Sequence, residues 1–312
     1  MARQRKKRGR DISGILILDK PAGLSSNQVL QRVKRIYNAN KAGHTGSLDV
    51  PATGLLPICL GEATKVSAYL LDADKIYRAR CKLGITTTTG DAAGEVLETK
   101  AVPNITKTDL KTVLQNFIGE IEQVPPMYSA LKHNGKRLYE LAYQGIEVKR
   151  NPRKISIYRL ALLELSGDEF EIEVYSSKGT YIRTLAQDIG HELGCGAHII
   201  SLRRSGSGPF QEQQMVTLDQ LEEIADKGSE KLDSLLLPMD LALSDFPEVH
   251  LSEHVAYYLC QGQAVTAPGL PNEGCLRIYN NFDQFIGLGE VTGDGRVAPK
   301  RLINLSETGV RG

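Results

Sequence analysis

The chain has 312 residues, 41% of them hydrophobic, enough to bury a full core and to hold more than one domain. Its net charge is only +1, but the first ten residues carry six Lys or Arg and no acid; a basic arm suited to phosphate contact therefore precedes a body at −5. Five widely spaced cysteines, Cys59, Cys81, Cys195, Cys260 and Cys275, form neither a disulfide framework nor a zinc ribbon, and no apolar run approaches a membrane span, so secretion and membrane insertion are disfavoured and a cytoplasmic protein with reduced thiols is expected.

The first apolar run, residues 14–18, ends in Asp19-Lys20-Pro21-Ala22-Gly23 and reads as a buried strand meeting a turn. A helix follows. Ser25 and Gln28 have capping-box spacing, and Val29, Leu30, Val33, Ile36 and Tyr37 share one face. Arg32, Lys34 and Arg35 lie on the others and suit either a phosphate backbone or the negative end of the helix dipole. Residues 43–57, with three glycines and two prolines, are predicted to be a shaped loop, and its single carboxylate, Asp49, sits among the apolar Leu48, Val50, Pro51 and Ala52.

Residues 62–71 read as a helix. Over residues 75–83, Tyr77, Ala79, Cys81 and Leu83 alternate with Arg78, Arg80 and Lys82, the pattern of a half-buried antiparallel strand in which Tyr77 opens the core row. Residues 107–119 are a further predicted helix. Lys132, Lys136 and Arg137 form a basic cluster that fits RNA phosphate contact and a solvated turn equally well. Phe170, Ile172 and Val174 alternate with glutamates as a strand, after which residues 176–180 turn into a helix striped by Ile182, Leu185, Ile189 and Leu193. Arg183 sits in its first turn, where the helix dipole disfavours a cation by about 0.3–1 kcal/mol, so the residue is either solvated or paired with an anion.

His191, Cys195 and His198 have a spacing that metals use, but Gly194 and Gly196 interrupt the helix and no carboxylate completes a set. A phosphate-binding loop and a Gly-x-Ser-x-Gly elbow are both missing from the sequence. Carboxylate chemistry survives this elimination best. Beyond Pro247, short apolar stretches at 255–260, 276–279, 285–291 and 297–305 alternate with turns and predict a small β-barrel.

The loop around Asp49 resembles the signature of the pseudouridine synthases, and its details resemble the bacterial-type branch that modifies position 55 in the T loop of tRNA. The likeness runs from Asp11 to about Leu305 and includes residues 123–132 (Gln-Val-Pro-Pro-Met-Tyr-Ser-Ala-Leu-Lys), 178–183 (Lys-Gly-Thr-Tyr-Ile-Arg) and 202–205 (Leu-Arg-Arg-Ser). It implies that Asp49 is the catalytic nucleophile, that Arg183 pairs with it and favours its ionised form, and that Tyr77 lies against the target base. It further implies that His44 helps hold a flipped-out uridine, that Tyr181 belongs to the active site and that Leu202 lines the base pocket. Lys20, Lys132, Lys136 and Arg137 are then candidate contacts to the RNA backbone. Three positions depart from the family pattern: Val50-Pro51 displaces a proline by one, Thr88 replaces an aspartate, and Tyr143 stands where arginine is usual.

The fold implied is α+β, a mixed and mainly antiparallel sheet with flanking helices over residues 11–247, followed by a small barrel at 248–312 resembling the RNA-binding PUA domain. The partner implied is the T stem-loop of tRNA, met by a monomer, with no cofactor, metal or membrane. Two alternatives stand beside this reading: a non-catalytic tRNA-binding or folding module, and a guide-RNA-dependent synthase within a larger particle.

Overall fold

The structure is a computed structural model that describes residues 9–304. Most of the predicted basic arm, residues 1–10, lies outside the described residues. Arg10 does not: it forms a two-pronged ion pair with Asp233, so this cation of the arm is already committed to a carboxylate.

The chain divides into two compact units. The first comprises the chain up to Leu48, Leu56–Asp72 and everything from Gly208; the second comprises Asp49–Leu55 and Ala73–Ser207. In chain order the first unit begins with β1 (Gly14–Lys20), α1 (Ser26–Ile36), β2 (Ala42–His44) and β3 (Thr53–Leu60), of which residues 53–55 belong to the second unit. The predicted capping box forms, with Ser25 accepting from Gln28 N–H while the Gln28 side chain reaches back to Ser25. Val29, Leu30 and Val33 are buried with Leu16, Leu18, Leu56, Ile58 and Leu60 in one core. The helix expected over residues 62–71 is broken into a 3-10 turn, Gly61–Lys65, and a short α2 (Ser67–Asp72), because Val66 closes the tight turn before the α-helix begins.

The second unit holds β4 (Lys75–Leu83), the hairpin β5 (Ile85–Thr87) and β6 (Val96–Thr99), α3 (Lys107–Gln115) and β7 (Gly119–Gln123). After these come the short hairpin β8 (Lys132–His133) and β9 (Lys136–Arg137), α4 (Leu138–Ala142), β10 (Arg153–Ser166), β11 (Glu169–Ser176), α5 (Ile182–Glu192) and β12 (Ala197–Ser207). Its sheet runs β12-β4-β11-β10-β7 with every neighbour antiparallel, while the start of β3 joins β12 in parallel. The sheet is therefore mixed and mainly antiparallel, as the sequence indicates. The alternation read from β4 and β11 is the core face: Ala79, Cys81 and Leu83 meet Phe170, Ile172 and Val174, and α5 covers them with Leu185, Ala186 and Ile189. Burial pushes the Cys59 thiol up to about 12, and Cys81 is raised for the same reason, so both behave as inert apolar side chains.

The parallel join depends on a glycine. Gly54 faces Arg204 across it with φ +99°, and a β-carbon there would lie 2.3 Å from the Arg204 carbonyl oxygen. Gly54→Ala is expected to destabilise the protein by about 2–4 kcal/mol, from the left-handed backbone and the forced separation of β3 from β12. Urea denaturation reads this directly, and an unchanged midpoint would refute it.

The first unit resumes with β13 (Phe210–Gln211), α6 (Leu218–Ala225), capped by Thr217, and α7 (Ser229–Asp233). Its C-terminal part contains β14 (Glu248–His250), α8 (Glu253–Cys260), β15 (Cys275–Tyr279), β16 (Phe285–Val291) and β17 (Val297–Leu302). The four strands pair in the order β14-β15-β16-β17 around Leu276, Ile278, Ile286 and Val297. Two expectations change here. Residues 255–260 are helical, with Ala256 and Leu259 facing the core; so short an apolar run carries no periodicity that separates strand from helix. The named strands form an open row, and among the described residues no pairing closes it into a barrel.

Candidate active site

Asp49 opens the first segment of the second unit. Its carbonyl accepts from Ala52 N–H at 3.1 Å, closing a turn across Val50-Pro51. Val50 and Pro51 face solvent and Ala52 is buried, so the displaced proline is accommodated on the outside of the turn. Further along this segment, Gly54 anchors it to β12, and the buried Arg204 donates from Nε to the Leu55 carbonyl at 2.6 Å. A guanidinium is thus spent on fixing the backbone that carries the acid. Arg204 stands in the Leu-Arg-Arg-Ser stretch, but periodicity gives no sign that its side chain points inward.

Arg183 meets Asp49 from the first turn of α5. Its Nε lies 2.9 Å from Asp49 Oδ2, and its Nη2 donates to Oδ1 at 3.4 Å. Arg183 is only 5% exposed, which settles the two readings of its position in favour of the ion pair. Two backbone carbonyls complete the guanidinium's environment: Thr89 O accepts from Nη1 at 2.6 Å and Tyr128 O from Nη2 at 2.8 Å. Asp91 stands further off, 3.8 Å from Nε, and its own Oδ1 accepts from the Thr89 hydroxyl and Ala93 N–H. A cation so placed against the helix dipole is held by two carboxylates and two carbonyl dipoles, which outweigh the modest dipole cost.

The loop supplying Thr89 is itself tied to β12, through Ile199 N–H to Gly90 O at 3.0 Å and Ala92 N–H to Ile199 O at 2.9 Å. Thr88, which replaces an aspartate of the family pattern, accepts from Glu95 N–H and closes the β5–β6 turn, so it has a local structural use. Asp49 and Arg183 border a recess with Pro51, Ala52, Asp91, Ile199 and Leu202. The Asp49 side chain remains 43% exposed at its mouth, anchored by the arginine yet open to an incoming group.

Tyr181 is the residue before α5. The Gln123 amide grips its backbone from both sides, accepting from Tyr181 N–H at 2.8 Å and donating to Tyr181 O at 3.1 Å. Burial pushes the Tyr181 phenol up, partly offset by Ser129, Arg153 and Arg183, so the hydroxyl stays protonated and able to donate. Tyr77 is half-buried at the end of the β4 core row, paired across the sheet with Val174 and Arg204. Leu202 is half-buried against the same core.

The other predicted positions are distributed differently. His44 ends β2 in the first unit, opposite Ile58 of β3. Lys20, expected as a backbone contact, is fully buried, with Nζ donating to Pro21 O at 2.8 Å. Lys132, Lys136 and Arg137 are exposed on the β8–β9 hairpin, whose Asn134-Gly135 turn has positive φ at both residues. Of the possible metal ligands, His191 is exposed on α5, Cys195 is buried, and His198 Nδ1 lies 3.0 Å from Ile85 O.

A carboxylate held two-pronged by a buried arginine thus borders a recess on a mainly antiparallel sheet, an arrangement able to present an oriented, ionised oxygen to a group entering that recess. Solved structures agree on the fold: the chain superposes with TM-score 0.74 and 28% identity on a chain of a Cbf5-Nop10-Gar1 complex, over 96% of its own length and 91% of the other's. The TruB family pseudouridylate synthase N-terminal domain matches residues 34–182, the tRNA pseudouridylate synthase B C-terminal domain matches 183–244, and the pseudouridine synthase II TruB C-terminal domain matches 247–303. Curated relatives named tRNA pseudouridine synthase B are 56% identical in Nitrosococcus oceani, over 97% of this chain and 98% of that one, and 54% identical in Pectobacterium atrosepticum, over 96% and 97%. The chain belongs to the TruB family of pseudouridine synthases.

Proposed function

We propose that the protein isomerises uridine to pseudouridine in the T loop of tRNA, at position 55, with Asp49 as the residue that acts on the nucleotide. Pseudouridine formation in tRNA accords with the relatives at 56% identity. The observation that carries the finer reading is the two-pronged Arg183–Asp49 pair at the mouth of the Leu202 recess.

The chemistry needs few parts. A stacked uridine must first leave its stack, at a cost on the order of a few kcal/mol. Tyr77 and Leu202 offer apolar surface for the flipped base, and Tyr181 offers a phenol donor near the acid. His44 is assigned to holding the extruded nucleotide. The Asp49 carboxylate then forms a bond to the nucleotide, the C1′–N1 bond breaks, the uracil turns, C5 joins C1′, and the bond to Asp49 breaks again to return the free carboxylate. The proton on C5 is released and N1 gains one, so substrate and product have the same composition and no net oxidation occurs. Arg183 keeps the carboxylate oriented throughout, and the fixed carbonyls of Thr89 and Tyr128 keep Arg183 in place.

Lys132, Lys136 and Arg137 are assigned to the phosphate backbone of the stem-loop, and the strands of residues 248–304 to RNA contact in the manner of a PUA domain. Relatives named as tRNA enzymes at more than 50% identity favour a self-contained tRNA synthase over the guide-RNA alternative, since the Cbf5 chain is 28% identical. The test is tritium release from a T stem-loop transcript labelled at uridine C5, with a second transcript carrying its only labelled uridine in another loop. Release from the first alone is expected; release from the second alone would overturn the T-loop assignment.

A further inference from the structure

Residues 127–148 carry a small core of their own, in which Met127, Leu138 and Leu141 are buried with Leu131, Ala142 and Val148 around them. Tyr143 caps the C-terminal end of α4, with its N–H on Tyr139 O at 3.0 Å, yet its side chain adds little to that core because it is 78% exposed. Its ring is nevertheless held. It meets Tyr128 edge to face at 5.7 Å and 78°, and Tyr139 at 6.4 Å and 73°. Such contacts fix a ring's direction while leaving exposed face for a further partner.

Three exposed cations, Lys132, Lys136 and Arg137, precede this ring on the β8–β9 hairpin, and the Glu140 carboxylate accepts from the Arg137 N–H at 3.3 Å. Lys132 faces Arg137 directly across the hairpin and His133 faces Lys136, an arrangement that costs stability unless an anion relieves it. Among the described residues none of Lys132, Lys136 and Arg137 forms an ion pair with a carboxylate. The Arg137 guanidinium lies 5.8 Å from the Tyr139 ring centre, so cations and aromatic rings are interleaved on one surface. Interleaving of this kind is how single-stranded RNA is gripped: cations follow the phosphates, and rings take the unpaired bases. Tyr128 joins this surface to the acid, since its carbonyl accepts from Arg183 at 2.8 Å while its ring touches Tyr143.

We propose that Tyr143 is a stacking platform for an unpaired base of the RNA neighbouring the target uridine, with the β8–β9 hairpin holding the adjoining phosphates. The proposal rests on the T-loop reading for its choice of RNA. Where the family pattern has arginine, this chain uses a neutral ring, which grips a base face instead of a phosphate.

The test uses the full-length protein and a T stem-loop RNA carrying 2-aminopurine next to the target uridine. Wild type and Tyr143→Phe are expected to quench the probe and bind alike. Tyr143→Ala is expected to lose the quench and bind on the order of tenfold more weakly, with an unchanged salt slope because the ring carries no charge. Tyr143→Arg is expected to steepen that slope by about 0.7–0.9. Wild-type quenching and affinity in Tyr143→Ala would overturn the proposal, as would a Phe variant as weak as Ala. Tritium release from the same hairpin labelled at C5 is measured in parallel. Lack of release by wild type counts against the T-loop reading alone, because the fluorescence arm reads binding; normal release with a failed stacking test counts against Tyr143 alone.

Discussion

Asp49→Asn is expected to abolish pseudouridine formation, by at least about 10³-fold, while tRNA affinity is expected to stay within about twofold of wild type. Asparagine has nearly the shape of aspartate and still offers one oxygen to Arg183, so the Asp49–Ala52 turn and the recess persist. It lacks the negative charge and the second oxygen, and an amide is a poor nucleophile. Removal of a nucleophile from a unit that works together costs as much as removal of the unit, which sets the scale of the loss. Stability is expected to shift by about 1 kcal/mol or less, since Arg183 keeps its bonds to Thr89 O and Tyr128 O and Asp49 is 43% exposed. Tritium release and filter binding on the same preparation give both numbers. More than a tenth of wild-type turnover would remove Asp49 from the chemistry.

The second large effect is at Arg183. Arg183→Lys keeps the charge but loses the planar fork, and no single ammonium reaches Asp49, Thr89 O and Tyr128 O in their present directions. Turnover is expected to fall by about 10²-fold, the size of effect seen when one fixed donor is removed from an active site. Arg183→Met goes further: it leaves two carbonyls without a donor and Asp49 without its cation in a partly desolvated place. Breaking a fully buried pair costs about 3–5 kcal/mol; with Asp49 at the surface, about 2–4 kcal/mol is expected, read as a lowered urea midpoint. The two variants separate the roles. Wild-type turnover in Arg183→Lys would show that a point charge suffices, and wild-type stability in Arg183→Met would show that the carbonyls find other donors.

Local pattern in the sequence determines a great deal of this protein. The alternation of Ala79, Cys81 and Leu83 against Phe170, Ile172 and Val174 sets which strand faces are buried, because period-two alternation leaves a half-buried strand one choice of core face. Ser25 with Gln28, and Thr217 with Gln220, announce their helix starts because a cap is satisfied within four residues. The resemblance around Asp49, Tyr181 and Arg183 singles out an acid and a partner for it, and the geometry brings Asp49 and Arg183 together. Where the pattern is short, it fails: residues 255–260 form a helix.

The tertiary structure decides what depends on residues distant in the chain. Asp49 and Arg183 are 134 positions apart, and the carbonyls of Thr89 and Tyr128 that orient the arginine are backbone atoms present in every residue type, so no sequence pattern can mark them. The same holds for Gly54 against Arg204 and for the Gln123 amide on the Tyr181 backbone, where a side chain is needed only because another segment arrives beside it. Sequence alone determines which residue types are available for chemistry and which faces seek the core. Their distances, and hence whether an acid is held or merely exposed, are set by the pairing of strands far apart in the chain.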